Sequence, residues 1–590
     1  MNDDERFRLR ILAGMVLLVG ALFVVRLYFL QIVHGDAYQK EAEKQYVATL
    51  PHLYNRGTIY FKDKLDKLVA GATVGTGYVV AITPRLITNK EETYRMLNAT
   101  YPLNKEEFMQ KASREDDPYE EIMQRVPEKE AKAIKSYDID GVKIYRQTWR
   151  VYPSDETAAQ TIGFVGYRTD GTTLAGRYGI ERYYDDVLAR KEEDLYVNFF
   201  AELFSNLKET LFDRDTAIEG DVVLSIEPNV QGYLEQELTE VMKEWHSDQT
   251  GGIIIEPSTG RILAMATNPT FNLNEYNKVT NQRVFGNPMV ESVFEMGSIM
   301  KPLTVAAGLD AGVITANSTY NDTGTITLNK KTISNYDGKG RGPGTTMQTV
   351  LNNSLNTGVA YIVSRLGNEK FSQYMLERYK IGEETGIDLP GEVQGLIGNL
   401  ASKRDVEYAT ASFGQGIAIT PINMVQSLSI LANGGYVTTP HVVDEIRYTN
   451  GEVRKITPNP PEQVLKRETS EEISRMLVHV VDHALLNGKA KVPEYSIAAK
   501  TGTAQVARPR ELGGGYYEDR YLHTFFGYFP AYDPKFLVFF YTYYPKNAEY
   551  ASHTLTYPFI RTAKFLLNYY NVPPDRDSEG KRLPVTPPQS

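Results

Sequence analysis

Gly252-Ile-Ile-Ile-Glu256, Pro257-Ser-Thr-Gly260 and Arg261-Ile-Leu-Ala-Met-Ala266 follow one another without a break. Two apolar runs flank a Pro-Ser-Thr-Gly turn, and this pattern predicts a β-hairpin. A second pair of apolar runs, 524–529 and 535–544, is joined by the turn Ala531-Tyr-Asp-Pro534. Tyr495-Ser-Ile-Ala-Ala499 reads as a short buried strand, and Val222-Val-Leu-Ser-Ile226 alternates like another. Residues 229–245 carry an amphipathic helical pattern, and 553–570 read as a closing helix. Strand hairpins at both ends with helices between them predict an α+β domain in which helices cover an antiparallel sheet.

Three short motifs stand in order on this frame: Ser298-Ile-Met-Lys301, Ser354-Leu-Asn356 and Lys500-Thr-Gly502. Ser-x-x-Lys alone carries little, since it recurs at Ser205-Asn-Leu-Lys208 and Ser578-Glu-Gly-Lys581. Context separates the first copy. Ser298 follows Gly297 and opens a helical stretch in which Pro302 falls in the first turn, where a missing N–H costs nothing. A spacing of three puts Ser298 and Lys301 on one helix face. A serine hydroxyl is a poor nucleophile until a base removes its proton, and Lys301 can be that base only when neutral. Burial and a nearby cation both lower a lysine pKa, and Lys500 would be that cation. Ser354 and Asn356 can supply a proton relay and an amide that holds a substrate backbone, although Ser354 also fits an ordinary helix cap. Lys500-Thr-Gly-Thr503 reads as an edge strand, where Gly502 would let an extended peptide approach closely. Thr501 and Thr503 offer hydroxyls to a terminal carboxylate. The N–H groups of Ser298 and Thr503 would form an oxyanion hole, each donor contributing about 3–4 kcal/mol. The substrate implied is a peptide with a free carboxylate, attacked at its last amide.

The chain has 590 residues, room for two or more domains, and a net charge of −10. That charge gives no bulk attraction to nucleic acid, which is not expected as a partner. The absence of cysteine excludes disulfides and thiolate metal sites and suits an oxidising compartment. No zinc-protease, P-loop, dinucleotide or nucleophile-elbow motif is present, so neither metal nor cofactor is expected.

Residues 11–33 are almost continuously apolar and as a helix would span roughly 34 Å, enough to cross a bilayer. No small-x-small cleavage site comes after them, so an uncleaved anchor is expected rather than a signal peptide. Arg6, Arg8 and Arg10 place the short tail 1–10 in the cytoplasm and the bulk of the chain outside. Arg26 interrupts the span, and it either snorkels to the headgroups or meets a partner helix. Residues 34–220 are polar and mixed, with a charge-dense helical pattern over 91–135, and are expected to form an elongated, non-catalytic pedestal. The catalytic domain is expected over 221–572, succeeded by a polar, proline-rich and disordered tail, 573–590. The glycine-rich stretches 335–346 and 507–520 are expected as loops bordering the cleft or as mobile surface loops.

With these residues in place, the chain resembles the class B, monofunctional penicillin-binding proteins. The likeness extends over Arg56-Gly57, Tyr152-Pro153, Gly163-Phe-Val-Gly166, Tyr178-Gly-Ile-Glu181 and the 256–266 run, then Phe413-Gly-Gln-Gly416, Thr420-Pro421 and Lys500-Thr-Gly-Thr-Ala-Gln505. It implies a D,D-transpeptidase that cross-links peptidoglycan stem peptides and is blocked by β-lactams, its pedestal being dimerisation-like. Carried over, Ser298 is acylated, Lys301 is its base, Ser354 and Asn356 are the second motif, and Lys500, Thr501 and Thr503 the third. Ile59-Tyr-Phe-Lys-Asp-Lys64 departs from the family's usual Asp-Arg-Asn-Gly-like turn, so local structure there is expected to differ. Asn356, where elongation enzymes often carry Asp, favours the septal, cell-division branch over the elongation branch. Either branch pairs with a polytopic glycosyltransferase of the shape, elongation, division and sporulation (SEDS) type and, in the septal case, with division proteins. A β-lactamase, a D,D-carboxypeptidase and a silent division scaffold are the rival readings.

Overall fold

A computed structural model of the chain describes residues 55–168, 174–190, 219–577 and 580–583. The expected tail and span (1–33), Ser205-Asn-Leu-Lys208, Ser578 and the last residues of the C-terminal tail lie outside these. Among the described residues, no helix is long and apolar enough to cross a membrane. By packing, the chain divides into two units. The smaller is built from residues 75–149, and the larger holds 56–74 together with the described residues from Arg150 onward. The stretch 34–220 contributes to both.

The described chain begins with a hairpin of β1 (Ile59–Lys62) and β2 (Leu68–Ile82). The departure at 59–64 forms this hairpin's turn, with the Asp63 carboxylate accepting the N–H groups of Leu65 and Lys67. The smaller unit then adds α1 (Lys90–Thr100), α2 (Lys105–Ala112), β3 (Glu120–Val126), α3 (Glu128–Ser136) and β4 (Val142–Val151). Asn89 and Asn104 cap the first two helices with their side-chain oxygens. Leu97, Phe108 and Ile134 bury their faces with Val80, Ile82 and Ile122. The 91–135 stretch was expected to be helical, but β3 interrupts it and pairs with the second half of β2, Tyr78 opposite Val126. Its glutamates hid the strand, and Glu120 is buried against Arg114 at 2.7 Å.

The larger unit continues with β5 (Gly220–Leu224), α4 (Pro228–Trp245), β6 (Gln249–Ile255), β7 (Ile262–Asn268) and α5 (Lys301–Asp310). After these come α6 (Met347–Asn352), α7 (Asn356–Leu366), α8 (Pro421–Ala432), β8 (Val443–Tyr448) and α9 (Arg467–His479). It closes with β9 (Ala498–Ala507), β10 (Tyr516–Phe529), β11 (Phe536–Tyr543) and α10 (Thr556–Tyr569). Five strands form one antiparallel sheet in the order β9-β10-β11-β6-β7. The hairpin read at 252–266 is its β6–β7 edge, with Ile254 opposite Ala264. Side chains alternate across the pleat. Phe525, Phe529 and Phe540 pack on one face with Leu234 of α4 and Phe559 of α10. Phe526, Tyr528 and Phe539 pack on the other with α5, α8 and α9. Burying each such ring contributes about 1.5–3 kcal/mol. Helix α5 is apolar on every side, and its Leu303, Val305, Ala306 and Ala307 are fully buried, as an all-round hydrophobic helix must be.

Two expectations about the periphery change. Residues 573–577 are docked rather than loose: Asp575 accepts the Ser496 N–H at 2.7 Å, and buried Arg576 pairs with Asp482 at 2.9 Å. The early family-like letters converge in one buried cluster, where Glu181 accepts from Arg56 Nε and Arg150 Nε, both at 2.6 Å, and from Tyr152 Oη at 3.3 Å. Glu181 is wholly buried, so removing its charge leaves the Arg150 guanidinium without its carboxylate and Arg56 with Asp185, at 2.7 Å, in its place. Glu181→Gln is expected to destabilise the chain by roughly 3–5 kcal/mol in denaturant unfolding, and a loss below about 1 kcal/mol would contradict this role.

Candidate active site

Ser298 sits in a short 3-10 turn, Gly297–Met300, that runs directly into α5, whose first residue is Lys301. Two neighbouring segments, the 412–414 loop and β10, hold this turn and the helix it opens. The Gly297 N–H donates to Gly414 O at 3.2 Å, Thr524 Oγ1 donates to Met296 O at 2.9 Å, and Thr304 Oγ1 donates to Ser412 O at 2.8 Å. Two glycines make the approach possible. A Cβ on Gly414 would lie 2.4 Å from Gly297 O. A Cβ on Gly502 would lie 2.3 Å from Thr524 Oγ1, 2.8 Å from Met296 O and 3.1 Å from Ile299 N. The space that Gly502 was expected to leave for a peptide is therefore filled by the nucleophile's own turn.

Lys301 is completely buried, and no carboxylate accompanies it among its described hydrogen-bond partners. Its Nζ donates to Ser354 O at 2.5 Å and lies 3.1 Å from Ser354 Oγ. The Phe413 ring centroid stands 5.9 Å away. Burial first, and then the charge of Lys500, push the amine well below the usual lysine range. Lys500 is also buried, its Nζ donates to Thr501 O at 2.9 Å, and burial lowers it to about 7. Both amines are thus held below the usual lysine range, and Lys500 remains cationic up to about neutral pH.

Ser354 takes a left-handed backbone, φ 50°, a conformation that costs a non-glycine residue roughly 1–3 kcal/mol and clusters at functional sites. It links α6 to α7, and the N-cap of α7 is Leu355, without a side-chain cap bond. The serine oxygen is therefore not a helix cap and faces Lys301 instead. Asn356 opens α7 and donates from Nδ2 to Ser334 O at 2.8 Å. Behind it lies a buried network that the motifs did not reveal. Thr357 Oγ1 donates to Asp322 at 2.8 Å, Asn335 Nδ2 donates to both Asp322 oxygens at 3.1 Å, and the Arg341 N–H donates at 3.0 Å. Burial pushes the Asp322 carboxyl up, but these donors outweigh it and hold the group below its usual range. The network pins 335–346, whose last part is a strand, Gly342–Thr346, rather than a loop.

Strand β9 is the edge of the five-stranded sheet, as the Lys-Thr-Gly reading required. Ser298, Ser354, Asn356, Lys500, Thr501 and Thr503 line one cleft of about 930 Å³. Lys301 lies beneath it, and Thr503 Oγ1 accepts the Ala551 N–H at 3.1 Å. The cleft also takes in Tyr336, Phe413, Gln415, His483 and Tyr550, which single-motif reading missed. Only the Phe413-Gly-Gln-Gly416 run carried a signal for two of them. Chemically, the cleft offers a hydroxyl one turn from a neutral amine, a second hydroxyl on that amine, and a cation at the strand edge. Gly502→Ala is expected to displace the Ser298 turn, costing about 1–3 kcal/mol of stability and at least tenfold in acylation rate. Thermal unfolding and β-lactam acylation kinetics check this, and an unchanged rate would contradict the tight packing.

The sequence profile of the penicillin binding protein transpeptidase domain matches residues 250–562, and that of the penicillin-binding protein dimerisation domain matches 53–202. Stage V sporulation protein D of Bacillus subtilis is 30% identical over 567 residues, covering 95% of this chain and 85% of that protein. The peptidoglycan D,D-transpeptidase FtsI of Escherichia coli K12 is 27% identical over 454 residues, covering 76% and 72%. The crystal structure of penicillin-binding protein 3 of Mycobacterium tuberculosis with aztreonam shares the fold, with a TM-score of 0.66 at 22% identity over 88% of this chain and 97% of that one. With one profile spanning more than half its length and a relative at 30% identity along nearly all of it, the chain belongs to the penicillin-binding protein transpeptidase family.

Proposed function

We propose that the larger unit is a serine D,D-transpeptidase that cross-links peptidoglycan stem peptides during septal wall synthesis and is acylated by β-lactams. The observation that carries this reading is the wholly buried Lys301 amine, hydrogen-bonded to Ser354 and one turn from Ser298. Neutral Lys301 takes the Ser298 proton as Oγ attacks the carbonyl of the penultimate D-Ala. The backbone N–H groups of Ser298 and Thr503 stabilise the oxyanion. Lys500, Thr501 and Thr503 hold the terminal carboxylate, with Gly502 contributing backbone at the edge. Ser354 passes the proton from Lys301 to the departing D-Ala nitrogen, and Asn356 orients the peptide. The ester on Ser298 is then attacked by the amine of a second stem peptide, which releases the cross-link and frees the serine. A β-lactam enters by the same first step, but its leaving nitrogen stays tethered to the acyl group.

Residues 11–33 serve in this reading as a single-pass anchor, with the N-terminus in the cytoplasm and the catalytic unit outside. A polytopic SEDS-type glycosyltransferase supplies the strands. The septal assignment rests on Asn356 and on similarity to FtsI of Escherichia coli.

A fluorescent penicillin is expected to label the purified chain stably and to leave Ser298→Ala unlabelled. Lys301→Arg, which keeps the charge but cannot lose its proton, is expected to slow labelling by on the order of 10²–10⁴-fold. Rapid turnover of the label would point to a β-lactamase, and no labelling to a silent scaffold. In cells, depletion is expected to give filaments with unfinished septa, and rounded cells would assign the elongation role instead.

A further inference from the structure

Beyond the cleft, one carboxylate stands apart. Glu295 lies three residues before Ser298, and the Tyr516 hydroxyl donates to both its oxygens, at 3.1 and 3.0 Å. The backbone of Gly416, from the loop that brings Phe413 and Gln415 into the cleft, lies close enough to lower this carboxylate's pKa. The flanking backbone is fixed independently: Phe294 and Ile419 exchange N–H···O bonds at 2.9 and 3.0 Å, and Gly297 is bonded to Gly414. Glu295 is thus a rigidly based arm reaching toward the β9–β10 hairpin.

That hairpin needs an anchor. Strand β11 pairs with β10 only from Leu522 onward, where Leu522 faces Tyr543. Before it, β10 pairs with β9, Tyr521 opposite Gln505 and Tyr516 opposite Ala507, and beyond the Tyr544 contacts at Asp519 to Tyr521 its far end has no second strand among the described residues. A two-stranded ribbon is marginally stable without further packing. This ribbon carries Gln505 and Tyr521, which line the cleft, and it continues directly from Thr503.

We propose that Glu295 is a positioning residue for the acylation step: by gripping Tyr516 it clamps the β9–β10 ribbon to the segment that carries Ser298. The cleft edge and the nucleophile then share one reference point. Burial pushes the Glu295 carboxyl up, the Tyr516 hydroxyl and the Gly416 backbone pull it part of the way back, and it stands at about 7. Burial and the neighbouring carboxylate raise the Tyr516 hydroxyl, so it stays a donor throughout the working range. This inference rests on the acyl-transfer reading above.

The test uses the full chain, with stopped-flow acylation by a fluorescent penicillin resolved into its reversible binding constant and its acylation rate constant. Glu295→Ala and Tyr516→Phe are each expected to lower the acylation rate constant about tenfold, the worth of one hydrogen bond to a charged group. The binding constant is expected to stay within about twofold, and the double variant to be no slower than Glu295→Ala. Glu295→Gln, which keeps an acceptor for Tyr516, is expected to restore most of the rate. A folded Glu295→Ala or Tyr516→Phe with the wild-type rate constant overturns the clamp, as does a loss confined to binding or losses that multiply in the double variant. Should Glu295→Ala fail to fold, Tyr516→Phe, which deletes one oxygen, decides alone. Failure of the acyl-transfer reading shows separately, as a wild-type chain that takes no label or a Ser298→Ala that still does.

Discussion

A lysine buried to zero exposure, with no carboxylate among its described partners, holds its proton far less firmly than an exposed lysine, and the rest of the site is arranged around that constraint. An ammonium in that place would need three acceptors, whereas a neutral amine needs fewer and retains a lone pair. Ser354 gives Lys301 a carbonyl and a hydroxyl, and Lys500 adds a second positive charge that makes protonation of Lys301 harder still. One cation therefore both disfavours protonation of Lys301 and sets a positive charge at the cleft edge.

The fold makes this arrangement rigid. Helix α5 is apolar all round and is packed between the sheet and the helices on its inner face, so Lys301 cannot reach solvent without disrupting the core. The order β9-β10-β11-β6-β7 leaves β9 at the edge, where its motif faces the cleft. Gly414 and Gly502 let two backbones approach the Ser298 turn more closely than any side chain would permit. The left-handed Ser354 is held by its Lys301 contacts and by the buried Asp322–Asn335–Thr357 network beneath α7. Strain at Ser354 puts its hydroxyl on the Lys301 amine, and tight packing holds Ser298 one turn away on the same cleft.

Much of the sheet was legible because its strands are short apolar runs bounded by Pro, Gly and Asp, as in 252–266 and 524–544. The three motifs were legible as chemistry, and all of their residues belong to the cleft or border it. What stayed hidden depends on contacts between residues far apart in sequence. Nothing in the letters shows that Arg56 and Arg150 both bind Glu181, or that Asp322 supports Thr357 across 35 positions. The strand Glu120–Val126 was masked by its charges, because tertiary pairing overrode a helix-like composition. Gly502 was read as room for substrate, whereas its missing side chain makes room for the nucleophile's turn. Asp575 and Arg576 looked like tail until Ser496 and Asp482 supplied their partners.

Family membership and local chemistry meet in a single protonation state, and that state is directly observable. In chain labelled with ¹³C at the lysine ε position, with Lys301→Arg used for assignment, the Lys301 resonance is tracked as pH is raised from 5 to 11. A Lys301 signal that titrates well below an exposed lysine, while Lys500 titrates near neutrality, is what this structure predicts. A Lys301 that titrates near 10, like an exposed lysine, would contradict the account at its base.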